Sequence, residues 1–168
     1  DKNMYIDKNQ AKIKEAKHKR NLILNVIQQL KEKGFNFSDC IYCDAKADAY
    51  FTLRAGYSFF LAEDGNYSGA IEQILNELFN EDKRKGYRNV LNVDSLNKHV
   101  TKDNPIFEIP YYHQLNNTEM KGKIMAVYLD SDEYGNLHHF VLGFKMYSDT
   151  IEMDEKKQLM RYYDQLKQ

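Results

Sequence analysis

Towards its C-terminal end this chain reads as three strand-like segments in succession, and then as a charged helix. Ile106-Phe107-Glu108-Ile109 opens the first strand, residues 124–129 form the second, and Phe140-Val141-Leu142-Gly143-Phe144 the third. Between the second and third stands Asp132-Glu133-Tyr134-Gly135-Asn136, built from the residue types that tight turns use. Asp149-Thr150 then leads into Glu155-Lys156-Lys157-Gln158-Leu159, which reads as helix. An antiparallel meander that ends in an exiting helix suits a module that passes a signal onward.

A chain of 168 residues predicts one domain with appendages, able to bury roughly 70% of its unfolded surface. Hydrophobic residues at 42% are enough for a core, and 29% charged residues point to a soluble protein. A net charge of -1 supplies no basic field for nucleic acid or anionic lipid. No apolar run approaches the ~18 residues of a membrane span, and no signal-peptide core is present. A cytoplasmic location is therefore expected, with no membrane contact from this fragment and any anchor of a parent protein outside it. The first residue is Asp1, not Met, which suggests a piece of a longer protein.

The N-terminal arm, residues 1–34, has its own period. Ile6, Ile13, Arg20 and Ile27 form one heptad series, and Asn9, Ala16, Ile23 and Leu30 the other. Lys, Glu and Gln fill the remaining positions, and Gly34 supplies the helix stop after Lys31 and Lys33. Ile6, Ile13, Ala16, Ile23, Ile27 and Leu30 are thus the expected contacts of a dimerising helix. Asn9 and Arg20 interrupt the seam, as polar residues that fix register do. The same pattern also fits an amphipathic helix packed on its own domain.

Residues 35–149 read as the globular part. A hairpin is expected from Cys40-Ile41-Tyr42-Cys43-Asp44 and Tyr50-Phe51-Thr52-Leu53, joined by Ala45-Lys46-Ala47-Asp48. Residues 54–69 carry Gly56, Gly65 and Gly69 among aromatics and read as irregular. A helix capped by Ser68 follows, with Ile71, Ile74, Leu75, Leu78 and Phe79 on one face, ending near Glu81-Asp82-Lys83-Arg84-Lys85-Gly86. Residues 93–100 make a second short helix. Cys40 and Cys43 have Cys-x-x-Cys spacing, but on a strand that spacing sends the two side chains to opposite faces. With no second pair, a zinc site of four thiolates is not available.

This order resembles a PAS domain, of the divergent kind that precedes output domains in bacterial signalling proteins. The opening hairpin, Asp39-Cys40-Ile41-Tyr42-Cys43-Asp44 through Tyr50-Phe51-Thr52-Leu53, resembles the family's first two strands. Tyr67-Ser68-Gly69-Ala70-Ile71 through Phe79-Asn80-Glu81-Asp82-Lys83-Arg84 resembles its helix and the following His-Pro-x-Asp-Arg segment. Arg84 matches that segment, while Asn80, Glu81 and Lys83 stand where the family has His, Pro and Asp. Gly135-Asn136 through Val141-Leu142-Gly143-Phe144 resembles the last hairpin, and Asp149-Thr150 lacks the middle residue of the family's Asp-x-Thr exit.

The resemblance implies an α+β fold: a five-stranded antiparallel sheet with helices on one face, flanked by N-terminal and C-terminal signalling helices, the latter over residues 150–168. It also implies a sensory or regulatory role upstream of a covalently linked diguanylate cyclase or histidine kinase outside this fragment. A homodimer and a small-molecule ligand are the partners expected. Candidate pocket residues are Tyr42, Phe51, Leu53, Tyr57, Phe60, Ile74, Phe107, Tyr111, Met125, Val127 and Phe140. A dimerisation module whose core is filled by these same side chains is the alternative.

The cofactor is unknown. The flavin motif of light-sensing relatives is absent, and Cys40 and Cys43 lie too early for a chromophore thioester. Haem would need an axial ligand, and His99, in a polar segment, is the only histidine of the helical middle. His138 and His139 point to opposite faces if their strand is regular. With His113 they would form a metal site only if adjacent strands aligned them, and no metal is expected. Asp130, Asp132 and Glu133 crowd a turn, where acidic residues are common. No nucleotide-binding loop, nucleophile elbow or His-Glu-x-x-His motif points to catalysis, so the fragment is not expected to be an enzyme.

Overall fold

A computed structural model describes residues 2–56, 59–115 and 118–148. In chain order the described elements are α1 (Lys2–Glu32), β1 (Asp39–Asp44), β2 (Ala49–Arg54), β3 (Asp64–Asn66), α2 (Tyr67–Leu78), α3 (Glu81–Leu91), α4 (Val93–His99), β4 (Ile106–Leu115), β5 (Thr118–Ser131) and β6 (Leu137–Ser148). The chain divides into two compact units, the first ending at Asn36 and the second beginning at Phe37. The C-terminal helix expected over residues 150–168 lies outside the described residues.

The first unit is one long helix, and Gly34 ends it as its sequence suggests. Gly34 sits at φ +85°, where only glycine is unstrained. Its N–H donates to the Lys31 carbonyl at 3.0 Å, and the Phe35 N–H to the Leu30 carbonyl at 2.8 Å. Those two bonds satisfy carbonyls that the last turn would otherwise leave open. Of the expected seam residues on α1, Ile6, Ile13 and Ala16 are exposed, Ile23 and Ile27 half-buried and Leu30 buried; Met4, Tyr5 and Leu24, off the seam, are also exposed.

The second unit is α+β, with a six-stranded antiparallel sheet in the order β3-β2-β1-β6-β5-β4. Six strands replace the five expected. The added strand is β3, which pairs Asp64 with Phe51 and Asn66 with Ala49 inside the stretch that reads as irregular. Its residues, Asp-Gly-Asn, carry no apolar alternation, and main-chain pairing alone makes them a strand. The first strand of the unit is central: β1 pairs with β2 on one side and with β6 on the other.

Helix boundaries moved for local reasons. Asn66, not Ser68, caps α2, its Oδ1 accepting from the Gly69 N–H at 2.8 Å. Ser68 instead donates to Asp48 Oδ1 through both its N–H, at 3.0 Å, and its hydroxyl, at 2.8 Å. The charged run from Glu81 does not end α2 but begins α3, because Phe79 and Asn80 are extended and break the helix in two. Glu81 and Asp82 then occupy the first turn of α3, where the helix dipole favours acids.

One face of the sheet carries the helices. Ile71, Ile74, Leu75 and Leu78 of α2 pack with Leu91 and Leu96 against Ile41, Cys43, Ile109, Ile124, Phe140 and Leu142. Burying each such aliphatic side chain contributes roughly 1.5–3 kcal/mol. Tyr67 anchors the layer: its ring meets Phe140 edge-on at 5.4 Å and its hydroxyl donates to the Leu91 carbonyl at 2.7 Å. Tyr111 lies over Gly122 of the neighbouring strand, where any side chain would collide with its ring.

Arg84, the one residue matching its motif, closes the break between α2 and α3. Its Nε–H donates to the carbonyls of Leu75, at 3.2 Å, and Phe79, at 3.1 Å. A cation at a helix C-terminus also complements the dipole. Replacing it with methionine should lower the unfolding free energy by about 1–2 kcal/mol, read as a lower denaturant midpoint, with Arg84→Lys recovering part of the loss. An unchanged midpoint in Arg84→Met would show that water satisfies those carbonyls equally well.

Candidate functional site

A cluster of two carboxylates and two imidazoles sits where the ends of β1 and β5 meet the start of β6. Asp44, the last residue of β1, turns the chain back: its Oδ1 accepts from the N–H groups of Lys46 and Ala47, each at 3.0 Å. This is the side-chain mimic of a turn that Asp forms readily. The Ala45 N–H donates to the His138 carbonyl at 2.7 Å, tying that turn to the start of β6.

Opposite Asp44 the β5–β6 ladder slips twice. Tyr128 pairs with Phe140, Asp130 with His139, and Ser131 with Leu137. Leu129 is therefore extra on β5 and His138 extra on β6. A bulge turns neighbouring side chains out of strict alternation. The regular-strand expectation for His138 and His139 is overturned: their rings stack on each other, with centroids 3.8 Å apart and planes 24° from parallel.

The ring stack continues across the sheet. Tyr42 lies on the same side, 5.3 Å from His139, and Phe51 stacks on Tyr42 at 4.8 Å. Phe51, Tyr42, His139 and His138 thus form one column running over β2, β1 and β6. Carboxylates flank it. His139 Nδ1 lies 2.9 and 3.0 Å from the two oxygens of Asp130, whose Oδ1 also accepts from the His139 N–H at 3.0 Å. The Nε2 atoms of His138 and His139 face Asp44 at 3.6 and 3.5 Å. All three side chains are half-buried. Burial, together with the negative charge of Asp130 and Asp44, pushes the Tyr42 hydroxyl up to about 12.

Two clefts border the cluster. One of about 160 Å³ is lined by Tyr42, Asp44, Ala49, Tyr50 and Phe51. The other, of about 300 Å³, includes Lys46, Asp94, Asn97, Asp132 and Asn136 in its walls. Lys46 Nζ pairs there with Asp132 at 3.2 Å, and Asn97 bridges to the turn by donating to Asn136 and accepting from the Leu137 N–H.

The pocket candidates divide between the two faces of the sheet. Ile74, Tyr111 and Phe140 are buried in the helix-covered core, with Phe60 and Phe107 packed against it. Tyr42, Phe51, Leu53, Met125 and Val127 alternate with core residues along their strands and belong to the opposite face, where Phe37 lies over Gly143. The two sets do not share a cavity. Tyr57 lies outside the described residues. His113, paired with Met120, sits towards the other end of the sheet from His138 and His139, so the three histidines do not gather. Asp44 takes the place that His113 was considered for. His99 stacks on Phe107 at 4.7 Å, and its Nδ1 bonds the Ser95 carbonyl at 2.8 Å.

Two imidazoles and two carboxylates at this spacing can hold a cation or exchange protons. Asp130 was visible in the sequence as part of an acidic turn, and Tyr42 as an aromatic pocket candidate. Asp44 was not singled out, because an Asp before a turn is ordinary.

Comparison with family models, curated proteins and solved structures found no match to this chain.

Cys40 and Cys43 take opposite faces, and both are free and buried. Burial raises both thiols, Cys40 to about 11 against a partial offset from Arg54. The thiolate is the reactive form, so native protein at pH 8 should alkylate at least about 100-fold more slowly than unfolded protein. Prompt labelling of either thiol in the native state would contradict this.

The raised Tyr42 also sets a pH window. The folded state holds this proton beyond pH 10, where the unfolded chain releases it. Its contribution to stability is therefore complete below about pH 10 and declines as pH rises towards about 12. Denaturant midpoints measured across that range should fall less steeply in Tyr42→Phe than in the parent. Parallel curves would remove Tyr42 from the account.

Proposed function

We propose that this chain is a PAS-like sensory or regulatory module, one that dimerises through α1 and passes its state to a covalently linked output domain in the cytoplasm. The observation that carries this reading is the pairing of an α+β sheet unit with a long helix whose seam residues Ile6 and Ile13 are exposed, although Leu30 of the same seam is buried within the single chain. Large apolar side chains left in water along one helix are what a coiled-coil partner would cover. An opening hairpin, a helical middle and a three-strand meander, with helices on one face, are the features expected of a PAS module. No described helix is long and apolar enough to cross a membrane. The reading assigns no catalysis to these residues.

One observation favours the alternative, a dimerisation module with a filled core. Ile74 and Phe140 are completely buried and Tyr111 nearly so, so these pocket candidates serve as core. On the sensory reading the ligand would bind on the other face, in the cleft beside Tyr42 and Phe51. A ligand acts by favouring one of two helix arrangements.

Native mass spectrometry beside a denatured control separates the readings. A dimer with a reproducible small added mass supports sensing, a dimer without one supports the dimerisation module, and a monomer overturns both. Ile13→Asp is the sharper perturbation, since an exposed side chain on α1 contributes little to a lone chain's folding. Sedimentation should show Ile13→Asp as a monomer that keeps the circular dichroism of the folded parent, with a lower, concentration-independent melting temperature because dimerisation no longer stabilises the native state; a persistent dimer would remove α1 from the interface.

A further inference from the structure

We propose that Asp44, His138 and His139 bind a divalent transition-metal ion of the zinc class, with Asp130 as the positioning residue behind His139. The inference stands on the cluster alone and does not depend on the PAS-like reading.

Distance is the first ground. One donor atom from each of the three side chains can be chosen so that all lie within 4.8 Å of one another. The approaches of His138 and His139 Nε2 to Asp44, at 3.6 and 3.5 Å, are too long for good hydrogen bonds. Each is close to the edge of a zinc tetrahedron, about 3.3 Å when each ligand stands ~2.0–2.1 Å from the ion, with His138 nearest Oδ1 and His139 nearest Oδ2 of the carboxylate. The donor set, two imidazoles and a carboxylate, is one that zinc accepts while leaving a fourth position for water or a small ligand.

The protonation pattern is the second ground. The Asp130 carboxylate can only accept, so His139 Nδ1 carries the proton that points at it. In neutral His139 the lone pair is then on Nε2, which lies 3.5 Å from Asp44 Oδ2. A lone pair facing a carboxylate is repulsive unless a cation lies between them. Carboxylate, imidazole and metal in series is the arrangement that orients a metal-binding histidine. Asp44 is held in place independently by the N–H groups of Lys46 and Ala47, which leaves Oδ2 towards the site. The nearest ammonium in the turn, on Lys46, is engaged by Asp132 at 3.2 Å.

The column from Phe51 through Tyr42 backs the His139 ring. The His138–His139 stack, with centroids 3.8 Å apart, must open for both Nε2 lone pairs to converge on one tetrahedral ion, and His138, the extra residue of the bulge, is the ring that turns. The competing occupant of the gap is a proton, which would make the cluster an imidazolium–carboxylate pair.

Zinc titration of chelator-treated protein by calorimetry, with Co²⁺ as a spectroscopic probe, distinguishes the two. The expected result is one ion per chain, the visible absorption of nitrogen-ligated four-coordinate cobalt, and zinc-induced NMR shifts confined to the His138 and His139 rings. His138→Ala and His139→Ala should each weaken binding by more than about 100-fold, and Asp130→Asn by about 10–100-fold. Asp44→Asn keeps the turn's acceptor while removing the charge, so it tests the ligand without breaking the hairpin. Circular dichroism melts identify any variant that fails to fold, and the ring shifts are read on the unmodified protein. Ring resonances that titrate with pH but ignore zinc would overturn the proposal in favour of the proton. Binding that survives the double variant His138→Ala/His139→Ala would overturn it too, by placing the ion elsewhere.

Discussion

The pairing of β1 with β6 holds the second unit together. It joins the first strand of the unit to the last, in a register running from Asp39 opposite Phe144 to Asp44 opposite His139. The β1–β2–β3 part and the β4–β5–β6 meander are each local in sequence, and only this ladder makes them one sheet. Closing so long a loop costs chain entropy before any contact offsets it. The offset comes from Ile41 and Cys43 meeting Leu142 and Phe140 on the helix face, while Tyr42 meets Val141 on the other. The helical middle lies over that junction, with Tyr67 edge-on to Phe140.

The same ladder builds the polar cluster. Asp44 and His139 are Cα partners because β1 and β6 are in that register, and Asp130 reaches His139 because β5 is next in order. Two compensating bulges then rotate His138 out of alternation without disturbing Phe140, Val141 or Leu142. A bulge costs a ladder bond and is kept where a side chain must be re-aimed. Here it sets two imidazoles face to face beside a carboxylate.

The two faces of the sheet differ in what they carry. The helix face is a packed interior, with its thiol, Cys43, held protonated by burial. The opposite face carries the aromatic column, the histidine cluster and the cleft by Tyr42. A ligand or ion on that face would act on the ends of β1 and β6, the two strands that close the sheet. The proposed regulatory role and the proposed metal site therefore converge on one structural element while resting on separate observations.

Much of this was legible in the sequence. Heptad spacing and Gly34 defined α1, alternation placed the main strands, and the Asp132–Asn136 turn formed as its residues dictate, with Gly135 at φ +81°. Three-residue spacing on a strand was enough to separate Cys40 from Cys43. These features are local: each follows from residues within a few positions of one another. What tertiary structure decided is non-local. Strand β3 is paired along the edge that β2 offers to Asp64-Gly65-Asn66, and Asp48, far along the chain, takes the Ser68 N–H and hydroxyl that open α2. The histidine cluster depends on register and on two bulges, which no periodicity encodes, because a slip of one residue on a neighbouring strand reverses the face a side chain takes.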